Sequence, residues 1–260
     1  MTSLQDLLKN LKRVLIAYSG GVDSTFLLKV ARDTLGDNVL AVIAESPTYP
    51  STEALYAKKL CDELGVKHQI IQTDEFSNED FLSNPKERCY YCKRELFSKL
   101  LQIAKEHNVP YVLDGSNADD RSDYRPGTRA KEELGVRSPL MELGFTKQII
   151  RDLSRELNLP TWDKPSYACL ASRIPYGTRI TKELLERIEE GEKYLKSLGF
   201  NQLRVRHHGN IVRIEVEKDS AGEIMQRMDQ VSDKFEELGY TYVTLDLKGY
   251  RSGSMNEGVL

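Results

Sequence analysis

The chain predicts an α/β protein, a doubly wound parallel sheet followed by a smaller C-terminal α+β domain. Three observations carry that prediction. Short apolar runs alternate with helix-periodic stretches through about residue 157. The first strand-to-helix junction is glycine-rich, as expected at the ligand-binding edge of such a sheet. The last part of the chain instead reads helix, hairpin, helix, strand.

In order, residues 14–17 (Val-Leu-Ile-Ala) predict a buried strand, and a helix follows from Ser24. Residues 39–44 predict a second strand. A Pro-containing loop, residues 46–50, then leads to a helix capped by Ser51. On that helix Ala57, Leu60, Cys61 and Leu64 share a face, which makes Cys61 a core residue. Residues 68–72 predict a third strand, 93–106 a helix and 110–114 a fourth strand, followed by Gly115-Ser116-Asn117-Ala118-Asp119-Asp120. Parallel order gathers the loops after Ala17, Ala44 and Asp114 at one edge. A linker with Pro160 and Pro165 follows. Next come an amphipathic helix over 182–198 ended by Gly199, strands over 203–205 and 211–216 about a His207-His208-Gly209-Asn210 turn, a helix over 220–238 and a strand over 242–247. The expected domains are 1–157, a linker and active-site loop over 158–175, and 176–260.

Composition narrows the function classes. With 260 residues, 30% charged and 40% hydrophobic, the chain is an ordinary globular protein of one large or two modest domains. A net charge of −3 gives no global basic field, which argues against a nucleic-acid partner. No apolar run reaches the ~18 residues that span a membrane, and the N-terminus lacks the features of a signal peptide. A cytoplasmic protein is expected, with its four cysteines present as thiols or metal ligands.

Ser19-Gly20-Gly21-Val22-Asp23-Ser24 sits between the first strand and its helix. Adjacent glycines let backbone approach a ligand, and the helix start directs N–H groups and a positive dipole end at it. Ser19 and Ser24 add hydroxyls, so a phosphate or pyrophosphate is the natural guest. There is no Gly-Lys-Ser/Thr and no G-x-G-x-x-G. Asp23 is unfavourable beside phosphates unless it caps the helix or helps hold Mg²⁺. Asn117, Asp119 and Asp120 suit either a nucleotide or metal contact or an Asx-type turn.

Cys89-Tyr90-Tyr91-Cys92 is a C-x-x-C expected in a loop just before a helix, and Cys169 sits just past the linker. The spacing fits a redox pair, half a zinc site completed by His207 or His208, an iron–sulfur site, or no metal at all.

The SGGVDS segment resembles the pyrophosphate loop, or PP-loop, of ATP pyrophosphatases. Its combination with Ala168-Cys169-Leu170-Ala171-Ser172-Arg173, Arg204-Val205-Arg206 and Gly249-Tyr250-Arg251-Ser252-Gly253-Ser254-Met255-Asn256-Glu257 resembles the LarE family over essentially the whole chain. These are ATP-dependent sulfur transferases that build the nickel-pincer nucleotide cofactor of lactate racemase. The resemblance implies AMP-forming activation of a carboxylate of pyridinium-3,5-biscarboxylic acid mononucleotide, with ATP and Mg²⁺ at Ser19, Gly20, Gly21, Asp23, Ser24 and Asn117. It implies a nicotinate-derived mononucleotide and a sulfide or other sulfur donor as partners, and a homo-oligomer. In members with one cysteine, at the Cys169 position, that cysteine gives up its own sulfur and becomes dehydroalanine. This chain departs by adding Cys89 and Cys92, which resembles the branch holding a [4Fe-4S] cluster on three thiolates.

The implied substrate carries a phosphate and two carboxylates, which Arg173, Arg204 and Arg206 suit as bidentate forks and Ser172 as a hydroxyl donor. Arg204 and Arg206 share one face of their strand. A solvated charge is the alternative for each arginine. Glu215 is read either as orienting an arginine or binding a metal, or as an exposed carboxylate. A tRNA-thiolating PP-loop enzyme, an amide-forming synthetase and a non-catalytic nucleotide-binding domain remain the competing functions; the first wants a basic RNA-binding module and the second leaves the cysteines unused.

Overall fold

The computed structural model describes residues 1–121, 126–165, 168–251 and 253–257; Ser166, Tyr167 and Ser252 of the sequence motifs lie outside them. It comprises two compact units, residues 1–81 with 86–167, and residues 82–85 with 168–260. Among the described residues no helix is long and apolar enough to cross a membrane.

The first unit is built on four parallel strands in the order β3-β2-β1-β4: β1 Val14–Ala17, β2 Val39–Glu45, β3 Lys67–Gln72 and β4 Tyr111–Leu113. Register sets Val14 beside both Val39 and Tyr111. Strand side chains alternate between faces, and two cores result. Val14, Ile16, Val39, Ala41, Ile43 and Leu113 pack on one side with α1 (Thr2–Leu11), α2 (Val22–Leu35), α3 (Ser51–Glu63), α7 (Pro139–Glu142) and α8 (Lys147–Glu156). Leu15, Val42 and Val112 pack on the other side, against Phe97, Leu100, Ile103 and Ala104 of α5 (Arg88–Glu106). This is the doubly wound arrangement the sequence predicts. Short helices α4 (Glu79–Leu82) and α6 (Gly127–Glu133) flank α5 in sequence. Leu159 is buried in the first core, so the unit runs on past residue 157.

Several boundaries differ from expectation. α1 closes over the first core with Leu4, Leu8 and Leu11. α2 starts at Val22, which puts Asp23 and Ser24 inside its first turn, and α3 starts at Ser51 with Pro50 in the cap position. α5 starts at Arg88, so the C-x-x-C lies in the helix and not in a loop before it.

The second unit carries α9 (Lys182–Ser197), β5 (Leu203–His208), β6 (Ile211–Val216), α10 (Ala221–Gln226), α11 (Met228–Glu237) and β7 (Tyr242–Leu245). β5 and β6 form the antiparallel hairpin about Gly209, and β7 adds parallel to β6. The single helix expected over 220–238 is broken at Arg227, whose φ of −116° and ψ of 23° interrupt the ladder. Leu185, Ile188, Leu195, Val205, Ile214, Val231 and Phe235 are buried. Residues 82–85 belong here because Asn84, fully buried, donates through Nδ2 to the carbonyls of Pro175 (2.7 Å) and Thr178 (3.0 Å).

Candidate functional site

The turn after β1 is built for backbone approach. Gly20 holds φ +69°, and a Cβ there would stand 3.0 Å from Ala57 Cβ. Ser24 Oγ lies 3.1 Å from Ser19 Oγ and donates to the Gly21 carbonyl at 3.2 Å, closing the loop on itself. Gly115 presses on the same turn: a Cβ there would meet Ser24 N at 2.9 Å. The loops after β1 and β4 are therefore in contact, and both lie at the carboxyl ends of their strands.

Asn117 shows both readings of its loop at once. Its Oδ1 accepts from Asp119 N at 2.9 Å, an Asx turn, while its Nδ2 donates to Asp23 Oδ2 at 3.3 Å. Asp23 Oδ2 also takes Lys147 Nζ at 2.6 Å. Asp23 does not cap α2; its Oδ1 is buried without a hydrogen-bond partner among the described residues. A hard cation satisfies such an orphaned carboxylate oxygen, so the site fits Mg²⁺. Lys164 Nζ donates to the Gly20 carbonyl at 3.2 Å and to Glu53 Oε2 at 2.8 Å. Sequence reading missed Lys147 and Lys164. Lys147 opens α8 directly after the Thr146 cap, a helix-start signal; Lys164 had no signal.

Cys89 and Cys92 lie three residues apart in the first two turns of α5, on one helix face. Cys89 is exposed and Cys92 half-buried, with its Sγ donating to the buried Glu75 Oε1 at 3.6 Å. Cys169 is half-buried in the second unit. Soft cysteine thiolates are suitable donors to the irons of an iron–sulfur cluster, and a paired C-x-x-C supplies two of them. Among the described residues, no group of three or more His, Cys, Asp or Glu side chains is gathered as a metal site. Cys61 is fully buried in the first core, as its helix face predicts, and burial pushes its thiol up to about 12.

In the second unit the predicted anion-binding residues converge, but as a buried network and not as solvated charges. Arg173 is fully buried. Its Nε and one terminal nitrogen meet Glu192 Oε1 and Oε2 at 2.9 and 3.0 Å, and the other terminal nitrogen donates to the carbonyls of Ala168 (2.6 Å) and Cys169 (3.0 Å) and to Ser172 Oγ (3.1 Å). Arg173 thus fixes the backbone that carries Cys169. Burial pushes the Glu192 carboxyl up, but the Arg173 guanidinium outweighs it and holds the group below its ordinary value. Glu192 Oε1 also accepts Val205 N at 3.2 Å, tying α9 to β5.

Arg204 and Arg206 project from one face of β5. Arg204 lies 5.0 Å from the centroid of the Tyr250 ring. Arg206 donates to Glu215 Oε2 (2.9 Å), Ser254 Oγ (3.0 Å) and the Ser172 carbonyl (3.2 Å). Burial lowers the pKa of both guanidinium groups; Arg173 adds to it. Glu215 is fully buried between Arg206, Arg213 and Ser254, so it orients arginines and is no exposed carboxylate. Glu192 was missed although its signal is present: in α9 it takes the core-facing place between Ile188 and Leu195.

Residues 3–88 match the family model described as NAD synthase. An uncharacterized protein of Synechocystis is 45% identical, the match covering 98% of this chain and 96% of that one. The pyridinium-3,5-bisthiocarboxylic acid mononucleotide synthase of Lactiplantibacillus plantarum is 43% identical over 96% of this chain and 91% of its own. An uncharacterized protein of Methanocaldococcus jannaschii is 32% identical over 96% and 95%. Matches of that identity and coverage, on a PP-loop α/β fold with a second small sheet, place the chain in one family with these proteins: it belongs to the LarE family, that of the pyridinium-3,5-bisthiocarboxylic acid mononucleotide synthases.

Proposed function

We propose that this protein is an AMP-forming sulfur transferase that converts a carboxylate of pyridinium-3,5-biscarboxylic acid mononucleotide to a thiocarboxylate, in the biosynthesis of the nickel-pincer cofactor of lactate racemase. The observation that carries the reading is the 43% identity, over 96% of the chain, to a synthase named for the bisthiocarboxylate product.

ATP is assigned to Ser19, Gly20, Gly21, Ser24 and Asn117, with Mg²⁺ on Asp23. Backbone N–H groups and the start of α2 stabilise the pyrophosphate as it leaves. Asp23 would hold the Mg²⁺, which would supply neutralisation of phosphate charge. A substrate carboxylate oxygen bonds to the α-phosphorus and the α–β phosphoanhydride breaks. Sulfur then bonds to the acyl carbon, and AMP departs with the former carboxylate oxygen. Arg204, Arg206 and Ser172 are assigned to the substrate's anionic groups, with Arg173 and Glu215 as positioning residues. Support for that division is the full burial of Arg173 and Glu215 and their saturation by neighbours.

Cys89, Cys92 and Cys169 would hold a [4Fe-4S] cluster, which when bound supplies an iron able to carry exogenous sulfide. The alternative keeps the transferred sulfur on Cys169: its thiolate forms a thioester, and β-elimination leaves dehydroalanine and the thiocarboxylate. Two measurements test the proposal. Isotope exchange between pyrophosphate and ATP should require the biscarboxylate mononucleotide; exchange that ignores it overturns the substrate. Anaerobic iron and acid-labile sulfide should be lost on Cys89→Ala, Cys92→Ala and Cys169→Ala. An iron-free protein that loses one sulfur at Cys169 on turnover selects the sacrificial route.

A further inference from the structure

The second sheet turns two unlike faces. Leu203, Val205, Val212, Ile214 and Val216 are buried and apolar. The other face carries Arg204, Arg206 and His208 at alternate positions of β5, about 7 Å apart along the strand. Register sets Arg204 opposite Glu215, Arg206 opposite Arg213 and His208 opposite Ile211. His208, the third member of this row, is assigned no part in the proposed reaction.

Two neighbours in the row share a feature. Arg206 Nε and His208 Nε2 are buried atoms with no hydrogen-bond partner among the described residues. Orphaned buried polar atoms are destabilising, and protein interiors satisfy nearly all of them. His207, pointing to the opposite face, is satisfied: its Nδ1 lies 3.3 Å from Tyr240 Oη. The bonds of Arg206 to Glu215, Ser254 and Ser172 all run from its two terminal nitrogens and leave its Nε without a partner among the described residues. Burial, and then the nearby Arg213 and Arg206, push the His208 imidazole below its ordinary value, so it stays neutral and carries one N–H. A neutral donor extends an anion-binding row without adding a further positive charge beside Arg204, Arg206 and Arg213.

We infer that His208 is a further substrate-binding residue: its Nε2–H donates to an anionic oxygen, carboxylate or phosphate, of the mononucleotide assigned to Arg204 and Arg206, an assignment that rests on the proposed function. The test is calorimetric binding of pyridinium-3,5-biscarboxylic acid mononucleotide to the full chain and to His208→Leu, His208→Gln and His208→Asn, with ATP binding and melting temperature measured alongside. A glutamine amide nitrogen falls near the imidazole Nε2, and an asparagine amide near Nδ1. His208→Leu and His208→Asn should weaken mononucleotide binding about tenfold. His208→Gln should stay within about threefold of wild type, and ATP binding should be unchanged in all.

Wild-type affinity in His208→Leu overturns the inference, as does equal loss in His208→Gln and His208→Asn. Should His208→Leu fail to fold, the Gln and Asn variants decide alone. Absence of mononucleotide binding by wild type overturns the substrate reading and the assignment with it; binding that ignores His208 overturns the assignment only. Competition by pyridine-3,5-dicarboxylate and by inorganic phosphate identifies the group contacted, since only that competitor loses potency in His208→Leu.

Discussion

Glu192→Gln should destabilise the second unit far more than a typical single substitution. Arg173 is fully buried, and Glu192 is its bidentate counter-charge at 2.9 and 3.0 Å. Charge-assisted hydrogen bonds contribute about 1.5–3 kcal/mol each. Removing one partner of a buried pair costs about 3–5 kcal/mol, because the other charge stays behind. Glutamine retains one acceptor oxygen, which places the expected loss near the lower end, about 3 kcal/mol. Arg204 and Arg206 aggravate the loss, since Glu192 also offsets their charge. Scanning calorimetry of the full chain should show the transition of the second unit lowered by roughly 12–24 °C, at about 4–8 °C per kcal/mol for a unit of this size. The double variant Arg173→Met/Glu192→Leu removes both charges and should lose less than Glu192→Gln alone.

The same pair gives the effect a sign in pH. The folded Glu192 carboxyl lies below its unfolded value of 4.5. Its stabilisation is therefore fully present above that value and is lost as pH falls through the lower folded value. The gap between wild type and Glu192→Gln should accordingly narrow in acid below pH 4.5. A Glu192→Gln protein within about 1 kcal/mol of wild type at neutral pH, or a gap that persists in acid, would refute the reasoning.

Gly20→Ala should weaken ATP binding at least about tenfold without changing mononucleotide binding, because its φ is +69° and the new Cβ meets the Ala57 backbone at 3.2 Å; equilibrium binding of both ligands checks it. In the reduced, metal-free protein iodoacetamide should label exposed Cys89 well before Cys61, whose buried thiol is pushed up to about 12; equal rates by mass spectrometry would contradict the assignment of Cys61 to the core. Gly191→Ala should cost about 1–3 kcal/mol in denaturant titration, because its Cβ would stand 2.7 Å from Phe235 Cε1 and the ring cannot retreat in a packed core.

What was legible in the sequence follows physical locality. Short continuous apolar runs and the strand–glycine–helix junction are local signals, and β1, β2 and the turn at Gly20 appear where they predict. Boundaries failed where two signals compete. The C-x-x-C reads as a loop because its aromatics and charges obscure a helical face, yet α5 begins at Arg88. The row Arg204 and Arg206 was legible from strand alternation, and Glu215 as a partner from the facing strand, but the row's burial was not, because Ser254 closes on Arg206 from 48 positions away and the nearby charge of Glu192 comes from α9. Lys147 reaches Asp23 across 124 positions, a pairing that only the assembled sheet edge creates.

The most direct test of the central claim is the identity of the product. Anaerobic protein, reconstituted with iron and sulfide, is given ATP, Mg²⁺ and pyridinium-3,5-biscarboxylic acid mononucleotide, and the mononucleotide is examined by mass spectrometry beside the nucleotide products. AMP and pyrophosphate should form in step with a mononucleotide in which sulfur has replaced a carboxylate oxygen. Formation of ADP and phosphate, or of AMP and pyrophosphate with no sulfur in the mononucleotide, would contradict it.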